Sequence, residues 1–184
     1  MPLPTKNLGC HPTRTGVLRR LALEGYVAHN DSAGNSGVIG PGEVQWMTAA
    51  NGVLHKEYHE PAFAAEGGSL HMLQLWVNLP RAFKMSPPKY QAITKQQIAQ
   101  VNLPGNAGTV YVIAGNYNGI TGPAQTFTPI NMYRVQLNKA GAVPFTLPQL
   151  HNTGILVTTG SVVVNSETKA AKGDFIYLGK REQP

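Results

Sequence analysis

The feature that most constrains this chain is the regular return of turn chemistry. Clusters of Gly, Asn, Asp and Pro recur about every eight to twelve residues, with short alternating runs between them. Extended segments are predicted at 25–29, 43–47, 53–58 and 70–78, and again at 110–113, 132–137, 155–158, 161–164 and 175–178. The polar stretch from Asn30 to Gly37 reads as a turn cluster, and Asn51-Gly52 as a hairpin turn. Such spacing predicts an all-β sandwich or barrel. Between Pro80 and Gly108 the character changes. Pro80, Pro87 and Pro88 are poor strand residues, and Thr94 to Ala99 reads as a turn or two of helix capped by Thr94.

A loose internal similarity points to two related β units. Leu23-Glu24-Gly25-Tyr26-Val27, a polar loop and Gly40-Pro41-Gly42-Glu43-Val44 form the first copy. Thr158-Thr159-Gly160-Ser161-Val162, a polar loop and Ala171-Lys172-Gly173-Asp174-Phe175 form the second. Each places a glycine at a bend and a Gly-acid pair before another strand.

Composition removes several classes. Cys10 is the single cysteine, which excludes a disulfide framework and a four-thiolate zinc site. No apolar run is long enough to span a bilayer, and the first residues carry no secretory h-region, so a cytoplasmic location without membrane association is expected. The formal charge is +6, but the lysines and arginines are scattered and no nucleic-acid-binding motif interleaves them. A solvated basic surface is expected, with no direct nucleic-acid partner.

The chemistry-bearing residues are the histidines and one acid. On a strand, residues two apart share a face, so His55 and Glu57 project together while Lys56 points away. An imidazole and a carboxylate on one face suit a non-haem transition metal, and His11 from a neighbouring strand would complete a two-His-one-carboxylate set. The competing reading takes His55 as a half-buried structural histidine and Glu57 as a surface charge. His29, beside Asn30 and Asp31, reads as a solvated turn residue. His59 shares the parity of His55 but lies at the expected strand end, so it ranks as a reserve ligand. His71 reads as a core or rim residue, and His151 has no neighbouring partner.

The stretch Gly40-Pro41-Gly42-Glu43-Val44-Gln45-Trp46-Met47-Thr48-Ala49-Ala50-Asn51-Gly52-Val53-Leu54-His55-Lys56-Glu57 resembles the long hallmark of the pirin family, within the cupin superfamily. Leu73-Gln74-Leu75-Trp76-Val77-Asn78-Leu79-Pro80 and Lys84 to Gln91 fit the same family. The resemblance implies two tandem cupin barrels of the double-stranded β-helix (jelly-roll) type. The expected partition is an N-terminal domain over 1–92, a connector over 93–107 and a C-terminal domain over 108–184. It also implies one mononuclear metal, Fe(II) first, in the N-terminal barrel. His11, His55 and Glu57 match three of the four family ligands, and Thr13 stands where the family has the second histidine. Relatives extend beyond both ends, so the chain is expected to be truncated, with both barrels incomplete. The implied activity is a quercetin 2,3-dioxygenase-type oxidation of a flavonol, with Glu57 as a ligand that also accepts the substrate proton. A non-enzymatic regulatory role through a protein partner, and a degenerate member with impaired metal binding, are the alternatives.

Overall fold

The structure is a computed structural model that describes residues 7–14 and 16–179, with the backbone alone for 7–11. The chain divides into two units, Met1–Ala142 and Val143–Pro184.

In the first unit the chain crosses repeatedly between two four-stranded antiparallel sheets. Strands β1 (Asn7–Thr13), β3 (Val27–Asp31), β4 (Ser36–Ile39) and β6 (Val53–His59) form one, in the order β1-β6-β3-β4. Strands β2 (Gly16–Glu24), β5 (Val44–Thr48), β7 (His71–Asn78) and β8 (Lys89–Ile93) form the other, in the order β7-β2-β5-β8. A six-residue helix, α1 (Pro61–Glu66), follows β6; its first turn is closed by the Glu60 carboxylate, which accepts from the Phe63 amide at 2.8 Å. A further sheet of β9 (Ala99–Asn102), β10 (Gly108–Ala114) and β13 (Met132–Leu137) has β10 at its centre. A short ribbon, β11 (Asn116–Tyr117) and β12 (Ile120–Thr121), extends from β10.

Strand β2 organises this unit. It lies between β5 and β7 and is covered on both faces, so Gly16 to Ala22 are all buried. One face sends Val17 and Leu21 against Val44, Trp46, Ile93 and Ile113, joining β2 to the third sheet. The other face sends Leu18 against Met47, Ala49 and Val53 in the barrel interior. Burying side chains of this size contributes about 1.5–3 kcal/mol each. Strand β2 also buries two consecutive arginines. Arg19 lies on the Trp46 side and Arg20 on the interior side, each 2% exposed.

At the bend between β2 and β3, Gly25 has φ +78°. A Cβ there would meet the Phe63 ring at 2.7 Å and the Ser69 carbonyl at 2.8 Å, so the turn admits only glycine without rearrangement.

The second unit consists of two nested antiparallel pairs. Strands β14 (Thr153–Leu156) and β17 (Phe175–Leu178) form the outer pair, and β15 (Ser161–Val164) and β16 (Thr168–Ala171) the inner hairpin. The internal similarity is visible here bond by bond. In the first unit the Gly42 amide donates to the Ala22 carbonyl at 2.8 Å, and the Ala22 amide to the Glu43 carbonyl at 3.2 Å. In the second, Gly173 donates to Val157 at 2.8 Å, and Val157 to Asp174 at 3.0 Å. The acids match as well: Glu43 accepts from the Gly40 amide at 2.9 Å, and Asp174 from the Ala171 amide at 2.8 Å. Thus β14 to β17 repeat the connection of β2 to β5.

Three local expectations are corrected. Residues Thr94 to Gln97 form a turn, not a helix, because the Gln97 side chain accepts from the Thr94 amide and strand β9 begins at Ala99. The stretch between Pro80 and Gly108, whose prolines read as poor strand residues, supplies β8, paired to β5. Asn51-Gly52 is not a hairpin loop, since β5 and β6 belong to different sheets; a turn from Ala49 to Gly52 carries the chain across the barrel.

Candidate metal centre

Strand β6 sets the site by parity. Val53, His55, Glu57 and His59 are buried while Leu54 and Lys56 are exposed, so the alternation inferred for His55 and Glu57 holds along the strand. His55 is 3% and Glu57 4% exposed, which removes the reading of Glu57 as a surface charge. The strand continues through His59, whose ring meets Phe63 edge-on at 6.2 Å.

Strand β3 lies antiparallel to β6 and places His29 directly opposite Glu57, with Asp31 opposite His55. Inward-facing Val27 and His29 share a parity, so His29 is 2% exposed and not the solvated turn residue its neighbours suggested. His29 Nδ1 lies 3.8 Å, and His55 Nδ1 3.7 Å, from Glu57 Oε1. One donor atom from each of His29, His55 and Glu57 falls within 4.8 Å of the others, and all three residues are buried.

Strand β1 approaches from the other side of β6. His11 pairs with His55 in the backbone register; its side chain lies outside the described residues. Thr13 is buried, and its hydroxyl is 3.1 Å from His55 Nε2. At the position where the family resemblance places a second histidine, this chain therefore orients His55 through a hydroxyl.

The surroundings tune these groups. Asp31 is occupied by its own turn, accepting from the amides of Ala33 and Asn35 and from the Asn35 side chain. It still reaches His29 Nε2 at 3.6 Å. Burial holds the His29 imidazole below the usual histidine range, with Asp31 opposing the shift and Arg20 adding to it. Tyr90 of β8 stacks on His29, and burial together with Asp31 raises its phenol, so it stays neutral. From the second sheet Arg20 forms an ion pair with Glu57 and donates through Nε to Gln74 Oε1 at 3.1 Å. Burial brings the Arg20 pKa down to about 10, which leaves it cationic at neutral pH.

The donor chemistry suits a divalent transition metal. His29 Nδ1, the nitrogen facing Glu57, is buried without a hydrogen-bond partner among the described residues, a state that metal ligation would relieve. A depressed imidazole pKa favours the neutral form that binds a metal. The feature that opposes a metal is the Arg20 guanidinium at Glu57.

Sequence reasoning missed His29 and Arg20 for different reasons. The alternation of Val27 and His29 within β3 was a usable signal. Nothing local in Arg19-Arg20 marks which arginine faces the acid.

Paired antiparallel sheets with imidazoles and a carboxylate on the inner face define a cupin-type β-barrel protein. The Pirin family profile matches residues 5–77. A protein of Pseudomonas aeruginosa, provisionally named a quercetin 2,3-dioxygenase, is 44% identical over 162 residues, covering 88% of this chain and 57% of its own. Rat pirin is 34% identical over 166 residues, covering 88% of this chain and 54% of its own. A quercetin 2,3-dioxygenase from Acinetobacter baumannii has a crystal structure that superposes with a TM-score of 0.90 at 40% identity. That match covers 97% of this chain and 62% of that one. Residues 5–77 thus carry a pirin domain, and the likeness to these proteins extends over most of the chain. The chain spans a little over half the length of these two curated relatives. No helix among the described residues is long and apolar enough to cross a membrane.

Proposed function

We propose that this chain is a pirin-type metal-binding protein that holds one divalent transition metal, Fe(II) first, through His29, His55 and Glu57. His11, opposite His55 in the β1–β6 register, is the fourth donor in this reading. The observation that carries it is the buried convergence of two imidazoles and one carboxylate contributed by adjacent strands. Such a metal supplies Lewis acidity and a binding position for an oxygen ligand. The chain's own residues do the rest. Thr13 orients the His55 ring, Tyr90 backs the His29 ring, and Glu57, a ligand in this reading, is also placed to take a proton from an acidic hydroxyl.

The names of the similar proteins suggest a flavonol dioxygenase activity, and quercetin is the first substrate to try. Oxygen uptake with quercetin, measured with Fe(II), Ni(II), Cu(II) or Mn(II) after metal analysis of the loaded protein, tests both levels. Stoichiometric metal with oxygen uptake supports the dioxygenase. Stoichiometric metal without uptake keeps the metal site and removes the activity. Failure to retain any of these metals removes the site.

One observation favours a second reading. Glu57 already has a cationic partner in Arg20, so a metal-free chain that acts through a protein contact is chemically self-consistent. Pull-down of a partner by protein that carries no metal, with the same recovery after metal addition, would support it.

A further inference from the structure

A metal ion and a guanidinium that meet at one carboxylate oxygen in a dry site compete for its charge. The Arg20 guanidinium reaches Glu57 Oε1, the same oxygen that lies 3.7–3.8 Å from His29 and His55. An ion entering between those three donors meets a fixed positive charge in a buried, low-dielectric setting, where repulsion is far less screened than in water. Binding there is weakened for as long as Arg20 stays, and withdrawal of Arg20 relieves the repulsion.

The strands beside Arg20 supply somewhere for it to go. In the antiparallel register Arg20 is opposite Gln74 on β7 and opposite Gln45 on β5. Gln74 Oε1 already accepts from Arg20 Nε at 3.1 Å. Gln45 is 1% exposed, and neither its Oε1 nor its Nε2 has a hydrogen-bond partner among the described residues. Residues directly opposed on neighbouring strands have Cβ atoms about 4.5–5.5 Å apart, well within the reach of an arginine. A buried amide left unpartnered costs about 1–3 kcal/mol, so a fixed orphan at that position is unfavourable unless something comes to it.

We infer that Arg20 is a tethered cation that competes with the metal for Glu57 and gates the site. With no metal bound, the guanidinium neutralises Glu57. When a divalent ion binds His29, His55 and Glu57, the guanidinium leaves the carboxylate and hydrogen-bonds to Gln45 Oε1 while keeping Gln74. The exchange is non-covalent and moves no electrons. Its consequence is a metal affinity set by a swinging side chain on β2, a strand that contributes no ligand. The inference rests on the metal-site reading proposed above.

Ni(II) and Co(II) titrations of purified chain, followed by calorimetry and by the visible absorption of Co(II), test it. Arg20→Met keeps side-chain length without charge and should bind both ions about 10- to 100-fold more tightly than the unaltered chain, because a like charge no longer opposes the ion in a poorly screened site. Arg20→Lys retains the charge and should stay close to the unaltered affinity. Gln45→Leu removes the acceptor that receives the guanidinium and should weaken binding several-fold, an effect that static repulsion alone would not produce. If both the unaltered chain and Arg20→Met bind with equal affinity, the gate is overturned and the metal site stands. If neither Arg20→Met nor the unaltered chain binds either ion, the metal-site reading falls and the gate with it. If Arg20→Met does not fold, as judged by circular dichroism, the Gln45→Leu titration decides: unchanged affinity overturns the gate.

Discussion

The Tyr90 ring lies nearly parallel to the His29 imidazole, with centroids 5.2 Å apart and planes inclined by 13°. This stack joins the two sheets of the barrel, since Tyr90 is on β8 and His29 on β3. The phenolic oxygen is buried and has no hydrogen-bond partner among the described residues. The ring and the hydroxyl therefore pull stability in opposite directions. Tyr90→Phe keeps the stack and removes the orphan hydroxyl, and should leave stability unchanged or raise it by about 1 kcal/mol. Tyr90→Ala removes the ring and should cost about 2–4 kcal/mol. Urea unfolding of the two variants checks the contrast.

The protonation of His29 ties stability to pH. Burial, the largest influence, holds its imidazole below the ordinary value, so folded chain carries it neutral where unfolded chain takes up a proton. In the absence of metal, its stabilising contribution is full above the unfolded pKa of about 6.5. It declines as pH falls below that value and stops changing once pH passes below the folded pKa. Melting temperature should therefore fall between neutral and mildly acidic pH, and His29→Gln should flatten that part of the slope. A slope unchanged by the substitution would assign the acid sensitivity to other groups.

How far the sequence reveals this site depends on what periodicity can detect. Strands β5, β6 and β7 alternate or carry apolar runs between turn signals, and they appear where the pattern places them. The pair His55 and Glu57 was legible for that reason. Strand β2 was not, because a strand buried on both faces should read as a continuous apolar run, and Arg19-Arg20 interrupts it. His29 was hidden by its neighbours, since Asn30, Asp31 and Gly34 carry turn chemistry while the inward parity of Val27 continues to His29. Strand β8 was obscured by the prolines before it. The fold tolerates them because Pro87 and Pro88 precede the first paired residue, Lys89.

The matched Gly-acid turns offer a test of the repeat itself. Glu43 and Asp174 each accept from the backbone amide three residues earlier. Each bond holds the turn that leads into a strand of the β2–β5 or β14–β17 pair. Replacing either acid by alanine should cost about 0.5–1.5 kcal/mol, and the amide form, Gln or Asn, should recover part of it. Because the two turns lie in separate units, amide exchange should show loosening confined to the mutated turn and its paired strands. Loosening of both turns by one substitution would contradict two independent copies.

Arg19 provides the sharpest energetic prediction, because its burial is imperfectly compensated. Its guanidinium sits 3.8 Å from the centroid of the Trp46 ring, while Nε and Nη1 are buried without hydrogen-bond partners among the described residues. Burial alone brings its pKa down to about 10, which marks a charge held where solvent would be preferred. The cation–π contact returns about 0.5–2 kcal/mol, less than a buried unpaired charge costs. Arg19→Met or Arg19→Leu places apolar volume against Val17, Leu21 and Trp46 instead, and replacement of buried ionic groups by packed apolar ones is often stabilising by about 1–4 kcal/mol. Allowing for the lost ring contact, a net gain of about 1–2 kcal/mol is expected, with metal affinity unchanged because Arg19 faces away from Glu57. Urea unfolding monitored through Trp46 and Trp76 fluorescence measures it. A loss of stability on substitution would mean that the contact with Trp46 outweighs the cost of burying the charge.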